Sequence, residues 1–209
     1  MTVSSPASAA PAGFSSHVIR QIWEAVLAVH SEEAHQLHAL RDVRDVDGYR
    51  DALMCLYGVH QPVEAALAAA SPLWRPLGVD LAGVCRLASL RKDLAAVGVS
   101  DAECAALPRC SIPPILSLPQ ALGVTFTLLG SVFGGRKTCE RVAEILPGAP
   151  TGFFSDSGPV SWKRFAEVTE AALPDPAGRE QAVQAAVATM RCVASWAAAW
   201  TVSARSSRA

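Results

Sequence analysis

Two stretches of this 209-residue chain carry residue types that can do chemistry, and they lie about a hundred residues apart. The first is IWEAVLAVH, which ends at His30. Ile19, Ile22, Val26 and Val29 recur with His30 at helical spacing, so the imidazole stands at the end of an apolar, core-facing stripe. A histidine there is either a core group hydrogen-bonded to a neighbour or a neutral ligand for iron or another metal. The second stretch is Leu118–Ile145. Within it Thr127, Ser131, Gly134, Gly135 and Thr138 follow an i, i+4, i+7, i+8, i+11 series and share a helix face with almost no side-chain volume. An interior glycine costs a helix about 1 kcal/mol relative to alanine, so Gly130, Gly134 and Gly135 together cost about 3 kcal/mol and call for compensation. A bare backbone strip admits either a closely packed helix or a flat, bulky ligand. Spacing alone leaves both open.

Other candidates are weaker. His35 and His38 are three apart, but no third ligand lies nearby and Arg41 and Arg44 mark a solvated segment. Arg191 sits mid-helix beside an apolar face, where it either snorkels to solvent or holds a ligand carboxylate at a pocket rim.

The elements that must position these groups read as helices throughout. Ser16 caps a helix over residues 16–30. Asp47 precedes a second, from Gly48 to about Ala70, with a kink expected between Gly58 and Pro62. A third spans 80–97, with Arg86, Arg91 and Lys92 on its wet side and Gly98 as its stop. Ser100 caps a short turn, Asp101 to Leu107, and residues 108–119 form an extended connector. The glycine-rich helix starts at Pro119, where a missing N–H has no partner to lose, and can bend at its glycines. A loop then carries Phe153 and Phe154, of which at least one should pack over a helix or a ligand. Trp162 and Phe165 lie on a helix to about Leu173, and the last helix runs from Pro176 to about Trp200. No strand alternation and no repeat is convincing, so the expected fold is a single all-α domain of residues 16–202 between disordered tails, 1–15 and 203–209.

Composition narrows the function. A net charge of −1 provides no large basic patch for phosphates, which argues against nucleic acid. No apolar run reaches the length of a membrane span, and the N-terminus lacks the pattern of a secretory signal. The six cysteines form no C-x-x-C pair and fall mostly in apolar helices, which points to buried thiols and a cytoplasmic setting.

The order of these features resembles the heme oxygenase family, and most closely its bacterial members that partner bacteriophytochromes. IWEAVLAVH is similar to the family's proximal helix, LYGVHQPVE (Leu56–Glu64) to its second helix, and LRKDLAAVG (Leu90–Gly98) to a later stretch. ALGVTFTLLGSVFGGRK (Ala121–Lys137) resembles the distal helix, and GFFSDSG with Trp162 the loop and helix after it. The resemblance covers about Ile19 to Ala172.

It implies a heme held between two helices, in a slot between a proximal and a glycine-rich distal helix. His30 would bind the iron and Val26 would line the proximal side. Gly130, Ser131, Gly134 and Gly135 would border the distal face, with Ser131 and Gly134 as the catalytic pair. Arg20 and Arg191, with Arg136 and Lys137, would be candidates for the propionates. The implied reaction is oxygen- and electron-dependent cleavage of heme to biliverdin, releasing iron and carbon monoxide, with an external ferredoxin- or flavodoxin-type donor and a bacteriophytochrome as protein partner. The sequence departs from the family pattern at Trp23, Val26 and Ala34, where a basic residue, a threonine and a carboxylate are usual. Those departures leave as the alternative a relative that binds heme or another tetrapyrrole without cleaving it, or that acts through a protein partner.

Overall fold

The computed structural model describes residues 16–32, 43–132, 135–156 and 161–206. Among them are ten α-helical segments and two 3-10 turns, and no strand. The first helix, α1 (His17–Glu32), begins at the expected cap: Ser16 Oγ accepts the Ile19 N–H at 3.2 Å. Glu170 reinforces this end by accepting the Val18 N–H at 3.0 Å and the Ser16 hydroxyl. A carboxylate suits an N-terminus because the free N–H groups there carry partial positive charge.

Helix α2 (Val46–Ala69) is capped by Asp45, which accepts from Gly48 N–H at 2.7 Å; Asp47, the expected cap, instead pairs with Arg50 at 3.1 Å. The helix continues unbroken through Gly58 and Pro62. Proline brings no N–H for the Gly58 carbonyl, and the Cys110 N–H fills that place at 2.8 Å. A short α3 (Ser71–Trp74) and a 3-10 turn (Arg75–Leu77) lead to Gly78, whose left-handed φ of 63° reverses the chain.

The helix expected over 80–97 divides into a 3-10 turn (Leu81–Val84) and α4 (Leu87–Ala96), which stops at Gly98. Arg86 lies at the division and is buried, not on the wet side. Helix α5 (Asp101–Ala106) has a reciprocal Ser100–Glu103 capping box, and α6 (Leu118–Gly130) has one from Ser117 and Gln120. Next come α7 (Gly135–Ile145), α8 (Gly152–Ser155), α9 (Trp162–Ala172) and α10 (Pro176–Ser206). Residues 203–206 are helical, so the last helix outruns the expected domain end at 202; the tails 1–15 and 207–209 fall outside the described residues.

Helix α10 packs along α6 and against α1. Val18, Ile22, Leu122, Phe126, Phe165, Ala182 and Ala186 share one core here. The helices approach so closely at Gly123 that a Cβ would collide with the Ala182 carbonyl. A second core, built around Tyr49, Leu53, Leu90, Leu94, Phe153 and Phe154, joins α2, α4 and α8. Both phenylalanines are buried in this core, where at least one was expected to pack. All six cysteines are free. Among the described residues, no helix is long and apolar enough to cross a membrane.

Candidate functional site

Val26 and Val29 are buried near the end of α1, and Val26 shares the first core with Leu128 and Leu129 of α6. His30 stands one turn beyond Val26 and is exposed; Gly130 follows Leu129 and is half-exposed. Each lies where its helix leaves that core. A Cβ built on Gly130 would meet nothing within 4 Å, so the space beside this backbone is open. His30 is thus not the internally bonded core histidine that its stripe also allowed.

The glycine-rich segment is two helices, not one bent helix. After Gly130 the N–H groups of Ser131 and Val132 bond to Leu128 O and Leu129 O at 3.2 and 3.1 Å, and Gly135 N–H bonds to Val132 O at 2.9 Å. These tighter three-residue closures end α6 before α7 begins. Phe133 and Gly134 lie outside the described residues, as do Ala34, His35 and His38. Gly135 corrects the sequence expectation of a bare ligand face. Its small size admits protein, since a Cβ there would strike the Phe154 carbonyl. Arg20 on α1 and Arg191 on α10 are both exposed.

Ser131 belongs to a polar network that reaches into the second core. Its hydroxyl donates to Leu128 O at 2.6 Å and accepts from Arg86 Nη2. Arg86 also donates through Nη1 to Phe153 O at 3.2 Å, with its guanidinium carbon 4.4 Å above the Phe153 ring. Glu64 of α2 lies behind it and supplies the cap that α4 lacks, accepting the Arg86 and Leu87 N–H groups at 2.9 and 3.0 Å. His60 Nδ1 lies 3.1 Å from the same carboxylate, and its ring meets Phe153 edge-on. Burial lowers the His60 pKa below its ordinary value of 6.5; the bond to Glu64 opposes this and Arg86 adds to it. The imidazole is therefore neutral at pH 7 and donates from Nδ1 to Glu64. Asp93 of α4 accepts the Gly152 and Phe153 N–H groups at the start of α8, at 3.1 and 2.8 Å, and so ties the Phe pair to α4.

Sequence reasoning did not single out His60, Glu64 or Arg86 as a connected group. One signal was present: Glu64 is a lone carboxylate in the apolar run QPVEAALAAA, and a carboxylate on a buried face needs partners. Which partners it would find depends on α4, which helix periodicity does not locate.

No protein-family model matches the sequence, and neither does any curated protein sequence. The fold does match solved structures. The heme oxygenase from Leptospira interrogans superposes with a TM-score of 0.65 at 13% identity, over 87% of this chain and 98% of that one. Heme oxygenase-1 from the cyanobacterium Synechocystis, in complex with heme, gives a TM-score of 0.61 at 17% identity, over 86% of this chain and 90% of that one. The chain therefore has an all-helical, heme-oxygenase-like fold.

Proposed function

We propose that this protein binds heme with His30 as the proximal iron ligand and cleaves it to biliverdin. The observation that carries the reading is the pairing of an exposed imidazole at the α1 end with an open backbone at the α6 end, in a heme-oxygenase-like fold. The residues present fit the group. An exposed imidazole is available to iron, and the space beside Gly130 accepts a ring that a side chain would displace. Val26 and Val29, buried on the preceding turn of α1, make the approach to His30 along that helix apolar. Ser131, at the end of α6, carries a hydroxyl fixed by Leu128 O and Arg86. Arg20 and Arg191 remain the candidates for the propionates, and Gly134 with Ser131 the candidates for the distal wall. Heme, when bound, supplies both the iron that activates oxygen and the macrocycle that is oxidised, with electrons from a ferredoxin- or flavodoxin-type donor.

A second reading is favoured by one observation. The Ser131 hydroxyl is already engaged by Arg86 and Leu128 O, so it has no proton to offer a distal ligand. A protein of that kind would hold heme or a bilin without cleaving it.

Hemin titration followed by reductant in air decides between the two. Cleavage requires a saturable one-to-one Soret band that then decays into the broad red absorption of biliverdin. A Soret band that survives reductant supports the carrier reading, and no band at all overturns heme binding in both and leaves only the bilin. His30→Ala should abolish the Soret shift while changing stability by less than about 0.5 kcal/mol, because the side chain is exposed. A native ferric spectrum in that variant would sink the proximal assignment.

A further inference from the structure

Arg86 does more than the proposed reaction asks of it. The side chain is only 2% exposed, although arginines are almost never fully buried unless paired. Its two terminal nitrogens bond to Phe153 O and Ser131 Oγ, and its buried Nε has no hydrogen-bond partner among the described residues. Burial pulls its pKa down, while the Glu64 and Asp156 carboxylates push it back up. A guanidinium starts high enough to stay charged through this.

The bond to Ser131 fixes a direction. A serine hydroxyl has one proton and two lone pairs, and a guanidinium can only donate. Arg86 Nη2 therefore takes one lone pair of Ser131, and the Ser131 proton goes to Leu128 O. One lone pair remains, on a side chain that is exposed at the end of α6. We propose that Arg86 is a positioning residue that fixes Ser131 as a hydrogen-bond acceptor toward the ligand slot. A small ligand there meets an acceptor and no donor. The site thus favours a ligand that carries its own proton, such as water, over an acceptor-only anion such as fluoride. The ligand half of this proposal rests on the heme reading; the Arg86–Ser131 contact does not.

Two measurements on the full chain test it, each on the unaltered protein, Arg86→Met, Ser131→Ala and the double variant. In thermal unfolding without heme, the double variant should lose less Tm than the sum of the singles, by roughly 2–4 °C. In the ferric heme complex, Arg86→Met should bind fluoride about fivefold tighter, since the freed Ser131 proton can turn outward. The added Ser131→Ala change should erase that gain. Removal of a cation alone weakens anion binding, so tightening has the opposite sign to a general electrostatic effect. Additive Tm losses overturn the contact, and unchanged or weaker fluoride binding in Arg86→Met overturns the polarity. If hemin does not bind, the heme reading fails and the unfolding cycle alone decides the Arg86 proposal. Should Arg86→Met not fold, Arg86→Lys takes its place; it retains a donor, so its fluoride affinity should match the unaltered protein, and tightening would overturn the assignment.

Discussion

The two ends of α6 use glycine in opposite ways. Gly123, near the start, is buried where α10 comes so close that no side chain fits against the Ala182 carbonyl. Around it Leu122, Phe126, Ala182 and Ala186 fill an apolar core, and Thr127 Oγ1 stands 3.4 Å from both Gly123 O and Ala186 O. Gly130, at the other end, faces open space, and the polar groups of Arg86 and Ser131 gather beyond it. Packing stabilises the first end. At the second, a helix gives up its regular ladder and leaves backbone uncovered. A glycine is thus evidence of close approach only when something approaches, and Gly135 sits on the packed side of that line because of Phe154.

The sharpest way to break this contrast is Gly123→Val. The new side chain meets backbone, which cannot rotate away, so stability should fall by about 3 kcal/mol or more in a denaturant titration. A loss below about 1 kcal/mol would show that α10 can move and that the close contact is not required. Next in size is Glu64→Ala. It strips the cap from α4 and leaves the Arg86 and Leu87 N–H groups and His60 Nδ1 without their buried acceptor. A loss of about 3 kcal/mol is expected. Helical signal from α4 should be affected before that of α10, which hydrogen exchange resolves helix by helix.

A pH titration probes the same polar end more gently. His60 has a folded-state pKa below 6.5, so the unfolded chain binds a proton that the folded chain refuses. Stability is therefore fully present above about pH 6.5 and falls as pH drops below it, by up to about 1.4 kcal/mol per pH unit from this group. The difference between the unaltered protein and His60→Gln should vary with pH in that window. A difference that stays constant from pH 7.5 to 5.5 would mean that His60 does not titrate as its burial requires. The smallest effect belongs to Gly130→Ala. Replacing a helical glycine that touches nothing should stabilise the protein by about 0.5–1 kcal/mol while weakening hemin binding. Tighter or unchanged hemin binding in that variant would place the ring elsewhere.

Much of the fold was readable in order along the chain. Ser16, Ser100 and Gly98 stop and start helices as their types require, because a cap depends on residues within one turn of itself. That at least one of Phe153 and Phe154 is buried followed from their area; that both are came from the packing of α8 on α2 and α4. The α6–α7 break was half legible: three glycines announced a weak place, but helical periodicity carried the reading straight through it. Asp45, not the expected Asp47, caps α2 because the helix starts two residues earlier than its apolar spacing indicated, at Val46.

What the sequence determined by itself was the all-helical class, the caps at Ser16 and Ser100, and the two candidate stretches around His30 and Ser131, all set by local propensity and apolar spacing. The tertiary structure alone decided which glycine is covered, that Arg86 is buried, and that His60, Glu64, Arg86 and Ser131 form one chain of contacts. Those groups come from α2, the start of α4 and the end of α6. Their partnership arises from helix packing across the core, and no local pattern encodes the distance between residues that meet only when the core closes.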